Sequence, residues 1–255
     1  GYVSYYNLAK KIYEKLKKKY KNCKITPIYT NELITKKLVK PLFHCKLFSE
    51  INLNLLVKPG NKISTISQMK NILAQAELEE DFSEEFAIYD LAEFLRALEL
   101  IEKPKLTFNG GSSVLISDEK NIEKVNYRFA DKSVIVSPSK LIEIPDKEVT
   151  FILTSDSFLK LQKALTGLAL PDVSVQGKDG ELLLTATDKK NKTSNNWSIV
   201  LGKTDKTFSA NFKAENFKII PGDYDVVISK KKISHFINRN FKLQYWIALE
   251  PDSEF

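Results

Sequence analysis

Few residues in this 255-residue sequence have the type and spacing of a reaction centre. Tyr6 with Lys10 and Tyr13 with Lys17 stand at Tyr-x-x-x-Lys spacing, which serves nicotinamide-dependent carbonyl reduction when a glycine-rich strand-turn-helix ahead of it binds the dinucleotide. No such glycine loop precedes them, and a lysine-rich helix meets that spacing easily by chance. His44 beside Cys45 suggests a metal, yet neighbours in sequence rarely converge on one ion, and two ligands do not close a tetrahedral site. Cys23 and Cys45 are the only cysteines and form no CxxC, so neither a zinc site nor a disulfide framework is expected. His235 lies among basic residues without a nearby carboxylate in sequence to make an acid–base pair. The expectation is a protein that is not an enzyme and needs no cofactor or metal.

What remains is electrostatic chemistry, and the net charge of +7 divides unevenly. Residues 1–46 hold 12 Lys and 2 Glu, which leaves 27 basic against 30 acidic residues in the body. The basicity belongs to the first segment. A mildly acidic body still binds a polyanion if its cations gather on one surface. Hydrophobic residues make up 43% and charged residues 28%, and no apolar run is long enough to cross a bilayer, so a soluble, intracellular protein is expected.

The elements that must position those cations follow from periodicity. Gly1 to Lys21 carries Leu8, Ile12 and Leu16 at helical spacing, an amphipathic helix; Lys24 to Tyr29 is a possible edge strand. From Lys46 onward short strands alternate with turn signals at Pro59-Gly60-Asn61, Gly110-Gly111, Asp179-Gly180 and Pro221-Gly222, which argues for antiparallel sheets. Strands are expected at Leu53–Val57, Lys62–Ser67, Leu106–Asn109, Ser113–Ser117, Val173–Gln176 and Glu181–Thr187. Two helices interrupt them. One carries Leu91, Phe94, Leu95, Leu98 and Ile101 as a stripe and turns Glu93 and Arg96 outward. The other runs from Ser155 to Leu168, with an N-cap in Ser155-Asp156-Ser157, a stripe of Phe158, Leu161, Leu165 and Leu168, and Lys160 and Lys163 together on the exposed face. FAIYDLAEF at Phe86–Phe94 is echoed by SANFKAENF at Ser209–Phe217, and the hairpin around Gly60 by the one around Gly180. Two echoes in the same order at nearly the same separation predict a duplicated unit.

AIYDLAEFL at Ala87–Leu95, KLFSEIN at Lys46–Asn52, Pro221-Gly222-Asp223-Tyr224 and the ending WIALE at Trp246–Glu250 with its acidic tail resemble, in order, the DNA sliding clamps of T-even-like bacteriophages. The resemblance covers roughly Lys46 to Phe255. It implies an α+β protein: two repeated clamp domains of antiparallel sheets with two helices each, 46–140 and 141–255, preceded by a basic helical extension, 1–45. It departs at Pro41, which falls where an uninterrupted first helix should run. Residues 1–43 also faintly resemble the C-terminal part of dTDP-4-dehydrorhamnose reductases, without the cofactor-binding half.

The clamp resemblance implies a homotrimeric ring that encircles double-stranded DNA without reading sequence and tethers the replicative DNA polymerase in phage DNA replication. A clamp loader would be a further partner, late transcription a further role, and the cytoplasm of the infected host the location, with no membrane partner. Lysines suit such a ring because phosphate contacts carry no sequence information. By position in the matched helices the DNA-facing candidates are Lys46, Arg96, Lys160, Lys163, Lys213 and Lys218, the last two on a fourth helix at Lys213–Lys218. Subunit edges map to Ser133, Val134, Ile135 and Val136 and to Trp197, Ser198, Ile199 and Val200. A client-peptide pocket maps to a connector at Ser137–Asp146, with Leu141, Ile142 and Ile144, and to Trp246, Ala248 and Leu249 beside it. The rival readings are a non-clamp β-rich interaction module with a basic nucleic-acid-binding tail, and a remnant of a sugar-nucleotide reductase.

Overall fold

The computed structural model describes residues 48–255 apart from Asn109, Leu141, Pro145 and Lys192. The reductase-like segment, the His44-Cys45 pair, Lys46 and the expected strand at Lys24–Tyr29 lie outside the described residues. The first half runs β1 (Leu55–Val57), β2 (Gly60–Ile66), β3 (Ile72–Phe82), β4 (Phe86–Ile88), α1 (Leu91–Glu99), β5 (Lys105–Phe108), β6 (Ser113–Ser117) and β7 (Lys124–Arg128). A 3-10 turn at Lys132–Val134 opens the connector. The second half runs β8 (Val149–Leu153), α2 (Ser155–Gly167), β9 (Asp172–Lys178), β10 (Glu181–Thr187), β11 (Trp197–Lys203), β12 (Phe208–Lys213), a 3-10 turn at Ala214–Asn216, β13 (Tyr224–Ser229), β14 (Ile233–Asn238) and β15 (Leu243–Ala248).

The strand pairings repeat from half to half. β1 pairs with β4 as β9 pairs with β12, and β2 pairs with β3 as β10 pairs with β11. The meander β5-β6-β7 matches β13-β14-β15. Even the hairpins agree: Ser117 opposes Lys124 in one meander and Ile237 opposes Gln244 in the other, both displaced by 120 residues. Gly60 and Gly180 hold matching positive-φ turns, 106° and 82°, where a side chain would be strained. The halves join through β15, which adds antiparallel to β3 and builds one six-stranded sheet in the order β2-β3-β15-β14-β13-β8.

Alternation explains the core. Leu182, Leu184 and Ala186 of β10 are buried, and their neighbours on the strand are partly exposed. α1 buries Leu91, Phe94, Leu95 and Leu98, with Ile101 just beyond it. Asp90 caps α1 by accepting from the Glu93 amide, and Thr154, rather than the serines after it, caps α2 by accepting from the Ser157 amide. Leu168 is 42% exposed, because α2 ends at Gly167 and the chain turns there.

The expected fourth helix is a single 3-10 turn. Lys213 offers no side-chain cap, and Phe217 leaves the helical region to pack its ring edge-on against Phe212 and Phe236 in the core. The expected edge strand at Ser133–Val136 is likewise absent. Asp131 accepts from the Ser133 amide and winds Lys132–Val134 into a turn, so among the described residues the three-stranded sheet ends on that side at β7.

Candidate functional site

Three regions carry the candidate residues: cations on and near the helices, two open strand edges, and a small apolar site on the outer face of the six-stranded sheet. On α2, Lys163 is exposed and Lys160 is exposed but paired with Asp156 at 2.7 Å, one turn away. Arg96 is exposed on α1 beside Glu93. The other two described cations are held. Lys213 Nζ donates to Asp172 Oδ1 at 2.6 Å, and the Asp172 side chain is 1% exposed. Burial pushes that carboxyl up, but the Lys213 ammonium and the Lys189 amide outweigh it and hold it below the usual carboxylate range. The Lys213 ammonium is correspondingly raised, chiefly by its hydrogen bond to Asp172. Lys218 Nζ donates to the Glu50 carbonyl at 2.9 Å, so its charge sits at the end of a helical turn of the first half. Lys213 is therefore structural, whereas Arg96, Lys160, Lys163 and Lys218 are exposed, Lys160 paired with Asp156 and Lys218 tying the two halves together through a neutral carbonyl.

Among the strands that end a sheet, and are so hydrogen-bonded on one side only among the described residues, are β7 and β11. On β11, Trp197 and Ile199 are half-buried while Ser198 and Val200 are exposed, Val200 at 51%. A groove of about 630 Å³ lies between α1 and β7, lined by Tyr89, Glu93, Arg96, Leu100, Val125 and Tyr127. Tyr89 and Leu100 expose 63% and 71% of their surface there. Burial, with Glu93 and Asp90 nearby, pushes the Tyr127 hydroxyl up to about 12.

The third region follows from register. Leu243, Tyr245 and Ile247 of β15 enter the main core, so Gln244, Trp246 and Ala248 face the other way. Pairing sets Val227, His235, Trp246, Leu73 and Ile66 in one row across β13, β14, β15, β3 and β2. Trp246 and Leu73 are 4% and 2% exposed yet stand outside the main core cluster. The Trp246 ring stacks on His235, centroids 4.5 Å apart, and its buried indole N–H finds no acceptor among the described residues. Beside this row runs a polar one: His235 Nε2 lies 3.0 Å from Gln244 Oε1, Gln244 Nε2 donates to Gln75, and Gln75 Nε2 donates to Ser64. Burial, more than the opposing hydrogen bond to Gln244, holds His235 below its usual range, with Lys147 pushing the same way.

The connector is tied near both ends of this row. Its start is tied where Asn52 Nδ2 donates to the Val136 carbonyl, near the β2 end, and its far end where Ser229 Oγ meets Asp146 beside β13. Five strands span about 19 Å at the usual strand spacing, and ten residues reach up to about 33 Å. The connector is long enough to lie over Leu73 and Trp246. Ile142 is 36% exposed and Ile144 half-buried on that connector. Ala248 is half-buried in the third region, while Leu249, 6% exposed, packs into the main core. Leu141 lies outside the described residues. Leu73, His235, Gln75 and Asn52 were not legible as site residues, because only the β3–β15 register brings the two halves' outer faces together. No cluster of three or more His, Cys, Asp or Glu able to hold a metal occurs among the described residues.

The chain is built of two repeated halves that share one sheet, and comparison with known proteins gives the family. A sliding clamp of Vibrio phage KVP40 is 30% identical over 212 residues, covering 80% of this chain and 94% of that protein. The chain belongs to the phage sliding-clamp family. The sliding clamps of Escherichia phage RB69 and Enterobacteria phage T4 are 28% and 25% identical over 217 residues, 82% of this chain and 93% of each. The family model for the gp45 sliding clamp, C terminal, matches residues 150–251. Among solved structures, Proliferating Cellular Nuclear Antigen of Entamoeba histolytica superposes with a TM-score of 0.58 at 16% identity, over 82% of this chain and 94% of that one. A PCNA2–PCNA3 complex from Sulfolobus tokodaii matches at 0.61 and 11% identity, over 84% and 97%. At those identities the likeness is of fold alone. Sliding clamps are processivity factors of DNA replication rather than enzymes.

Proposed function

We propose that this chain closes with two further copies into a homotrimeric ring around double-stranded DNA and tethers the replicative polymerase during phage DNA replication, in the host cytoplasm. No helix among the described residues is long and apolar enough to cross a membrane. Two repeated domains, 46–140 and 141–255, meet in the connector. The observation that carries the ring is the seam already present inside the chain. Its β15–β3 pairing sets Trp246 against Leu73. The half-to-half correspondence carries β15 onto β7 and β3 onto β11, so β7 of one copy pairs with β11 of the next and Asn126 faces Trp197. The groove beside β7, with Tyr89 and Leu100, then receives the neighbour's Val200 side. In this reading Trp197, Ser198, Ile199 and Val200 form one side of the subunit seam and β7, in place of Ser133–Val136, the other.

Processivity in such a ring is topological: DNA leaves only at an end or through an opened seam, however weak each contact. The inner wall holds DNA through exposed cations, Lys163 and Lys160 on α2 and Arg96 on α1, which attract phosphates in a salt-dependent, sequence-independent way. The outer-face row with Trp246 and Leu73 beneath Ile142 and Ile144 receives hydrophobic client peptides, the polymerase among them. A clamp loader opens the ring, late transcription is a further client process, and the chain itself catalyses nothing. Replacing Lys160 and Lys163 together by Glu tests the inner wall. Loading and sliding on DNA should fail while sedimentation still reports a trimer; unchanged polymerase processivity in that variant would remove the assignment.

A further inference from the structure

The connector is anchored unequally. At its far end the Ser229–Asp146 hydrogen bond is 3.4 Å long. At its start a single side chain, Asn52, 4% exposed, uses both of its donors: Nδ2 donates to the Ile66 carbonyl at 2.9 Å and to the Val136 carbonyl at 3.2 Å, and Oδ1 accepts from the Asn54 amide at 3.0 Å. Those bonds join the residue after the helical turn at 48–51, the last residue of β2 and the residue just before the connector. Ile66 is also the end of the apolar row that contains Leu73 and Trp246. Asn52 thus ties the start of the connector to the end of that row from a buried position with both donors used.

We infer that Asn52 is a positioning residue for the client site, holding the connector at Val136 so that a hydrophobic peptide meets a formed cleft instead of a loose strap. The inference rests on the outer-face row being the client site. A peptide that must order the connector as it binds loses affinity by that ordering cost. One hydrogen bond of ordinary worth corresponds to about a two- to tenfold change in affinity.

Asn52→Asp separates the roles, since it keeps the acceptor for Asn54 and removes both N–H donors. Two readings are taken on the full chain: hydrogen exchange of the amides in 137–144, and the Kd of a synthetic peptide bearing the C-terminal residues of a T4-like phage DNA polymerase. The variant should exchange faster in the connector, leave the β3–β15 seam protected, sediment as the wild type does, and bind the peptide two- to tenfold more weakly. Unchanged connector exchange, or faster exchange with an unchanged Kd, overturns the inference. Should Asp at 52 unfold the chain, Asn52→Ala removes the donors without burying a charge and carries the same readings. Global melting in both variants also contradicts a role confined to the connector. If the wild type fails to bind the peptide, the client site itself is misplaced, and the exchange arm still decides whether Asn52 holds the connector.

Discussion

The two halves of the chain place the same sequence echo in the same corner of the sheet and fold it differently. In the first half FAIYDLAEF leads into a nine-residue helix; in the second SANFKAENF yields one 3-10 turn. Asp90 caps the helix, and the helix formers that follow, Leu91 to Glu99, hold neither proline nor a β-branched residue. At the equivalent point Lys213 supplies no cap, Ile219 and Ile220 are β-branched and buried, and Pro221 bars continuation. The strands around both are paired alike, so the sheet frame defines the fold and the corner element is free to vary. Function follows that variation. The helix presents Arg96 to solvent, whereas the turn leaves Lys213 bound to Asp172 and Lys218 bound to the opposite half.

The largest effects should be equal in the two halves, because both corners depend on the same aromatic. Phe94 packs edge-on to Tyr127 at 5.0 Å, and Phe217 packs on Phe212 at 5.2 Å; both are buried. Phe94→Ala and Phe217→Ala should each cost about 3–4 kcal/mol, read by chemical denaturation. A much smaller loss at Phe217 would mean that the turn is an appendage instead of the counterpart of α1.

Next in size is the ion pair that only the second half has. Lys213→Ala leaves the Asp172 carboxylate buried without its partner and should cost about 2 kcal/mol at neutral pH, less than a fully buried pair because the Lys213 side chain is about a third exposed. The sign with pH is set by the lowered Asp172 value. Its stabilisation is present above the ordinary carboxylate range and lost as pH falls through the folded value, so the gap between wild type and variant should narrow below about pH 4. A gap that widens in acid would place the lost energy elsewhere.

The smallest effect belongs to the cap. Asp90→Ala should cost about 1 kcal/mol and fray the start of α1, measured by thermal melting and circular dichroism. No matching loss is expected at Lys213 from capping, since its side chain caps nothing.

The same contrast explains what the sequence revealed. The stripes of α1 and α2, the glycine turns and the strands at Ser113–Ser117 and Glu181–Thr187 were legible because periodicity and turn chemistry are local. β3 was not, because Gln75, Ala76, Glu77, Leu78 and Glu79 are helix-forming residues held in a strand by β2 on one side and β15 on the other. The charged candidates were legible as cations but not as free ones: nothing near Lys213 in sequence announces Asp172, 41 residues away. The outer-face site needed the β3–β15 register, which joins residues about 170 apart, as Gln244 and Gln75 are.

The central claim is that the protein holds DNA by enclosing it. The direct measurement loads the chain, with a T4-like phage clamp loader, onto a nicked circular duplex, raises the salt until direct lysine–phosphate contacts are lost, and then cuts the circle. Retention on the circle followed by release on cutting is the expected result. Equal retention on circular and linear DNA, or loss from both as the salt rises, would contradict enclosure and leave only an ordinary phosphate-binding surface.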